Sequence, residues 1–273
     1  MGLNATYKLK SKMQSGKKVF GPLLGPGNEP GQTVKALKDF GYDFIMVDLE
    51  HSLVNKETIY SYIRSAQEMD IPFLMRPEEK TAHFRCYLDA GVNGVMTPQL
   101  NTVEEAVYAI NQSYFPPIGH RGCGIGINPY LLDFQSPAEV PLVTLTEYIN
   151  NNTVVFVQTE SLENISNLRH ILSLEGVAGT IVGTFDLAFN IGGIDPKALM
   201  SEVITTAFVE EKLRQVAKIC KDTGKVAGIG GFQPKGCARW AKEGYQLFIL
   251  GYVIDGNVDS LRPLIEEASA LVS

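Results

Sequence analysis

Four apolar runs in the sequence end on polar residues. Phe44-Ile45-Met46-Val47 runs into Asp48-Leu49-Glu50-His51, Phe73-Leu74-Met75 into Arg76, and Val154-Val155-Phe156-Val157 into Gln158-Thr159-Glu160. Gly179 to Gly183 leads through Thr184-Phe185 into Asp186. Gln158 and Glu160 are two apart, so on a strand they share one face, while Val155, Val157 and Thr159 take the other. Glu160 and Asp186, at consecutive run ends, have the chemistry to hold a hard divalent cation, Mg2+ or Mn2+, with positions left for water and a chelating substrate. Taken singly, either carboxylate reads first as a helix cap or as the partner of a surface lysine; their pairing favours the metal. His51, three residues beyond Asp48, is a candidate general base that this carboxylate would orient and make more basic. Arg76 would set a permanent cation against a developing enolate oxygen, an ion pair at the rim being the plainer alternative. His83 and His170 fall within helical stretches and read as structural or solvated, whereas His120 is open between roles.

The elements that must carry these residues alternate. Strands are predicted over Val19 to Leu24, Phe44 to Asp48, Phe73 to Arg76, Gly94 to Thr97, Val154 to Glu160, Gly179 to Gly183, Val226 to Gly230 and Leu247 to Gly251. Amphipathic stretches lie between them: Gly31 to Phe40, Lys56 to Met69, Ala82 to Ala90, Val103 to Gln112, Leu162 to Leu174, Thr205 to Thr223 and Pro234 to Glu243, with Asn257 to Leu271 last. Gly41, Gly91, Gly176, Gly224 and Gly244 follow helical runs where a left-handed residue would end them. Strand and helix alternating about eight times in some 250 residues predict an α/β protein of the (β/α)8 TIM-barrel type rather than an open doubly wound sheet. No linker or internal repeat divides residues 1–273, so one domain is expected. In such a barrel chemistry sits at the C-terminal strand ends, where the four polar run ends fall. Two long connections, Ser113 to Thr153 and Leu187 to Ser201, suggest functional loops or oligomer contacts.

Composition narrows the function classes. The chain has 273 residues, with 24 Lys+Arg against 30 Asp+Glu and a formal charge of −6, which argues against a nucleic-acid partner. The 4 cysteines lack zinc-type spacing and are too sparse for a disulfide scaffold, which suits a reducing compartment. No apolar run approaches the ~18 residues of a membrane span and no signal peptide is visible, so a cytoplasmic protein without a membrane partner is expected. His120-Arg121-Gly122-Cys123 lacks the full spacing of a zinc site and Gly228-Ile229-Gly230-Gly231 that of a P-loop. The second nevertheless follows the seventh strand, where barrels often hold phosphate, and keeps a phosphorylated ligand open.

Val47-Asp48-Leu49-Glu50-His51, Met75-Arg76-Pro77, the stretch Pro116 to Gly124, Val157-Gln158-Thr159-Glu160-Ser161 and Gly183-Thr184-Phe185-Asp186-Leu187 together resemble the HpcH/HpaI family of class II 2-oxo acid aldolases. The similarity spans nearly the whole chain. It implies a (β/α)8 barrel of the phosphoenolpyruvate/pyruvate type, assembled as a hexamer (a trimer of dimers) with the C-terminal helix exchanged between paired subunits. It also implies a divalent metal on Glu160 and Asp186, with Gln158 and the backbone at Phe185 and Asp186 contacting the oxo acid. Arg76 would stabilise the enolate and His51 would act as base, made more basic by Asp89. Asp89 lies near the end of a crossover helix, on the barrel face opposite the site, so it would reach His51 only from another subunit or indirectly.

The implied reaction is lyase chemistry on a 4-hydroxy-2-oxo acid. The base takes the C4 hydroxyl proton, the C3–C4 bond breaks, and an aldehyde leaves a metal-bound pyruvate enolate. None of the strand ends singled out carries a lysine, which agrees with a metal-dependent rather than a Schiff-base route. The sequence departs from the family's Gly-Pro-x-Asp-Leu-Ser at Thr184, Phe185 and Ala188. Those changes leave open a specialised relative, such as an oxaloacetate decarboxylase, or a catalytically idle oxo-acid-binding barrel.

Overall fold

Residues 3–81, 83–124 and 136–272 are described by the computed structural model. The chain runs α1 (Leu3–Gln14), β1 (Val19–Leu24), α2 (Pro30–Phe40), β2 (Ile45–Asp48), α3 (Lys56–Glu68), β3 (Phe73–Arg76), α4 (Arg85–Ala90), β4 (Gly94–Thr97), α5 (Val103–Ser113) and α6 (Leu142–Asn151). It continues through β5 (Val154–Thr159), α7 (Leu162–Ser173), β6 (Val177–Val182), α8 (Thr184–Ile191), α9 (Met200–Val203), α10 (Ala207–Thr223), β7 (Val226–Ile229), α11 (Pro234–Lys242), β8 (Leu247–Val253) and α12 (Arg262–Val272). Each strand pairs in parallel with the next and β8 pairs with β1, so the sheet closes into a (β/α)8 barrel.

Strand alternation sorts the core into two layers. Met46, Leu74, Met96, Phe156, Ile181 and Ile249 form one cluster inside the barrel, while Val47, Met75, Val95, Val157, Val182 and Leu250 join the larger cluster beneath the helices. The interior is filled by Phe44, whose ring would lie 2.3 Å from any Cβ at Gly21, so a glycine is required where it crosses β1. Because Asp48 and Arg76 follow inward-facing Met46 and Leu74 by two residues, they too point inward, side by side in the β2–β3 register. Gln158 stands in the same relation to Phe156.

Several elements differ from the sequence expectation. Helix α1 was not anticipated; its Leu9 and Met13, four apart, are buried in the inner cluster and close the N-terminal end of the barrel. Leu9 and Met13, set among Lys8, Lys10 and Lys12, are too weak a periodic signal to announce a helix. The long connections hold α6 and α9, and α8 begins immediately after β6. Helix α4 starts at Arg85, so His83 precedes it, and Ala82, the expected start, lies outside the described residues, as does 125–135 of the first long connection. Of the expected stops, Gly41, Gly91 and Gly224 take φ of 97°, 113° and 67° as helix C-caps. Helix α12 packs against α2 and α11 of its own chain and buries Ile265 and Ala268. All four cysteines are free. No described helix is long and apolar enough to cross a membrane.

Candidate active site

The C-terminal end of the barrel opens into a cavity of about 680 Å3 lined by Asp48, His51, Arg76, Gln158, Phe185 and Asp186, among others. Local sequence places each of them. Ser161 caps α7 by accepting the Asn164 backbone N–H at 3.0 Å, which ends β5 at Thr159 and sets Glu160 in the turn. Gly183 N–H donates to the Thr159 carbonyl at 3.0 Å, bringing the β6 end beside it. A Cβ at Gly183 would stand 2.7 Å from Gln158 Nε2 and 3.1 Å from Glu160 Oε2, so only glycine leaves room for both side chains. Asp186 follows in the first turn of α8, where the helix dipole favours a negative charge.

Asp48 and Arg76 form a buried forked pair, Nε to Oδ1 at 2.8 Å and Nη2 to Oδ2 at 2.6 Å. Arg76 Nη1 is also 3.2 Å from Glu50 Oε2. Burial works against the guanidinium charge, but Asp48, Glu50 and Glu160 outweigh it and hold its pKa above the ordinary value. Asp48 Oδ1 accepts the backbone N–H groups of Glu50 and His51 at 3.2 and 3.3 Å, folding the chain back after β2.

This geometry corrects the role expected for Asp48. Its carboxylate grips Arg76 and the backbone of His51, not the imidazole. The acid beside the ring is Glu50, with Oε2 3.6 Å from His51 Nε2, and the ring itself is more than half exposed. Asp89 lies away from His51 in its own chain, as its place on α4 implied. Within the chain it pairs with buried Arg121 at 2.5 Å, and that guanidinium stacks over Phe115, so Asp89 anchors the 121–124 segment to α4.

Glu160 is buried, and its oxygens accept from the Gln99 backbone N–H and from Gln158 Nε2. Burial raises its pKa, the Gln99 hydrogen bond opposes this, and the charges of Glu50 and Asp186 add to the rise, which reaches about 7. Asp186 is exposed, and its carboxylate makes no hydrogen bond or ion pair to a described residue. Gln99, at φ 49°, turns its N–H to Glu160 and its side chain to Glu50 at 3.1 Å. Glu50 and Gln99 were missed in the sequence reading. Glu50 lies in the Asp48 to His51 run, but local spacing does not say which acid faces the arginine.

The residues fit a divalent cation. Three carboxylates, Asp48, Glu50 and Glu160, act on the guanidinium of Arg76, the charge of Asp186 acts on Glu160, and buried Gln158 Oε1 has no hydrogen-bond donor. The donors are hard oxygens, suited to Mg2+ or Mn2+. No group of three or more His, Cys, Asp or Glu among the described residues could form a complete protein cage, so Glu160 and Asp186 would leave most positions to water and substrate.

The family model for HpcH/HpaI aldolase/citrate lyase matches residues 24–251. Hydroxypyruvate/pyruvate aldolase of Agrobacterium fabrum is 24% identical over 258 residues, covering 94% of this chain and 91% of that protein. The 4-hydroxy-2-oxo-heptane-1,7-dioate aldolase of Salmonella typhimurium is 26% identical over 184 residues, 67% of each chain. The crystal structure of an HpcH/HpaI aldolase from Desulfitobacterium hafniense superposes with a TM-score of 0.78 at 24% identity, covering 97% of this chain and 96% of that one.

Proposed function

This chain belongs to the HpcH/HpaI aldolase/citrate lyase family, and from that premise we propose that it is a carbon–carbon lyase that makes and breaks the C3–C4 bond of a 4-hydroxy-2-oxo acid through the enolate of pyruvate. The observation that carries this reading is the meeting of Gln158, Asp186, Arg76 and His51 in one cavity, with Glu160 accepting a hydrogen bond from Gln158 behind it. Glu160 and Asp186 would hold a divalent cation, which supplies Lewis-acid stabilisation of negative charge on the 2-oxo group.

The chain's own residues do the remaining work. Arg76, immobilised by two carboxylates, presents a fixed cation whose orientation costs nothing at the moment charge develops. His51, exposed on the cavity rim, is free to take the C4 hydroxyl proton and return one to the aldehyde oxygen in the reverse direction. Glu50 lies beside the ring, its Oε2 3.6 Å from His51 Nε2. The electron pair of the broken bond stays on C3, which takes up a proton to complete pyruvate. The test is pyruvate release from 4-hydroxy-2-oxo acids. Release that requires Mg2+ or Mn2+ and stops in chelator is expected; release unaffected by chelator in metal-stripped protein overturns the reading.

A further inference from the structure

The cavity has two chemically distinct halves. The titratable groups of its polar side come from the end of β2 and the turn after it, from β3 and from the first turn of α8: Asp48, His51, Arg76 and Asp186. The side from β6 through β8 to β1 is mostly apolar: Leu23, Ile181 and Ile249 form its floor and Phe185, Met200, Phe232 and Tyr252 its rim, with Thr184 and Gln233 as its polar side chains beside Tyr252. Gly231, at φ 88°, lets the chain pass tightly beside Phe185, since a Cβ there would lie 3.2 Å from the ring and 2.4 Å from Thr184 Oγ1. The phenylalanine edge is therefore backed by the β7 loop.

Arg76 is the one guanidinium or ammonium lining the cavity among the described residues, and both its carboxylate partners are already in place. Residues 82 and 125–135, outside the described part, contain no lysine or arginine. The carboxylate of the oxo acid would take the polar half. A second carboxylate, on the other substrate, would face an apolar wall with no cation to meet it, and an unpaired buried charge is strongly disfavoured.

Resting on the aldolase reading above, we propose that the aldehyde partner is uncharged and carries an aryl or branched alkyl group, seated on Phe185, Phe232 and Tyr252. In the synthetic direction C3 of the pyruvate enolate bonds to the aldehyde carbon. The C=O π pair moves to oxygen, which takes a proton, and a 4-hydroxy-2-oxo acid with an apolar tail results. Cleavage is the reverse, and no oxidant or reductant is involved. The Tyr252 hydroxyl, which makes no hydrogen bond to a described residue, and the Gln233 amide are neutral polar handles on this wall.

The experiment supplies pyruvate and Mn2+ with phenylacetaldehyde, isobutyraldehyde, glyoxylate or succinic semialdehyde, and follows pyruvate methyl exchange in D2O in the same samples. Phenylacetaldehyde and isobutyraldehyde should show kcat/KM at least about 100-fold above the two carboxylated aldehydes. Met200→Arg, which adds a cation at an exposed rim position, should raise the relative use of succinic semialdehyde at least about 10-fold. Equal or better use of the carboxylated aldehydes alongside active methyl exchange overturns the specificity while the aldolase reading stands. Without exchange, the aldolase reading fails, and saturation-transfer NMR on metal-free protein still decides the wall. Transfer to phenylacetaldehyde that weakens in Phe232→Ser supports an aryl seat, and no transfer refutes it.

Discussion

Glu160→Gln should stabilise the metal-free protein at pH 8 while removing its metal response. The carboxyl is raised from 4.5 to about 7, by burial first and then by the charges of Glu50 and Asp186. An acid whose folded pKa lies above its unfolded value contributes fully to stability only below the unfolded value, and the contribution is lost as pH rises through the folded one. The window here runs from about 4.5 to about 7. At about 1.4 kcal/mol per pH unit, the span amounts to about 3 kcal/mol, or about 5 °C in Tm for a chain of this length. The assay is calorimetric Tm in chelator from pH 5 to pH 8, read as Glu160→Gln minus wild type so that other titrations cancel. That difference should grow by about 5 °C across the range. Mn2+ at pH 8 should raise Tm of the wild type but not of the variant. Parallel pH profiles, or a variant less stable than wild type at pH 8 in chelator, would refute the reasoning.

Arg76→Lys keeps the charge but loses the forked grip on Asp48, and turnover of a 4-hydroxy-2-oxo acid should fall on the order of 100-fold with little change in Tm. Asp89→Ala strands the buried Arg121 guanidinium, and urea unfolding should show a loss of about 3–5 kcal/mol. Met13→Ala should cost about 2–4 kcal/mol in the same measurement by opening a void at the closed end of the barrel, leaving KM for the oxo acid unaltered because α1 lies at the opposite end from the site.

The eight strands were legible because buried parallel strands read as short Val, Ile and Phe runs bounded by glycines, and their alternation with helical periodicity is a strong joint signal. Boundaries slipped where neighbours decide them. β6 begins at Val177 because β5 pairs with it from Val155, and β8 extends to Val253 because β1 does. Polar residues at strand ends located Asp48, Arg76, Gln158 and Glu160, since a two-residue period fixes which face they share. Partner choice was not legible. Asp48 is three residues from His51 in sequence, yet the parallel register sets it beside Arg76, and the stronger forked pair takes the carboxylate. Asp89 belongs to Arg121 for a similar reason, the long connection after α5 carrying the guanidinium back over α4. Such contacts depend on how loops return, which local spacing does not encode.

The central claim is enolate formation at a metal held by Glu160 and Asp186, and hydrogen–deuterium exchange of the pyruvate methyl group in D2O tests it without any choice of aldehyde. Metal-stripped protein should be inactive, Mg2+ or Mn2+ should restore exchange, and His51→Ala should slow it. Glu160→Ala should abolish exchange at every cation concentration at which the wild type is saturated. Exchange that persists undiminished in chelator or in Glu160→Ala, or that no divalent cation elicits from the wild type, would contradict the account.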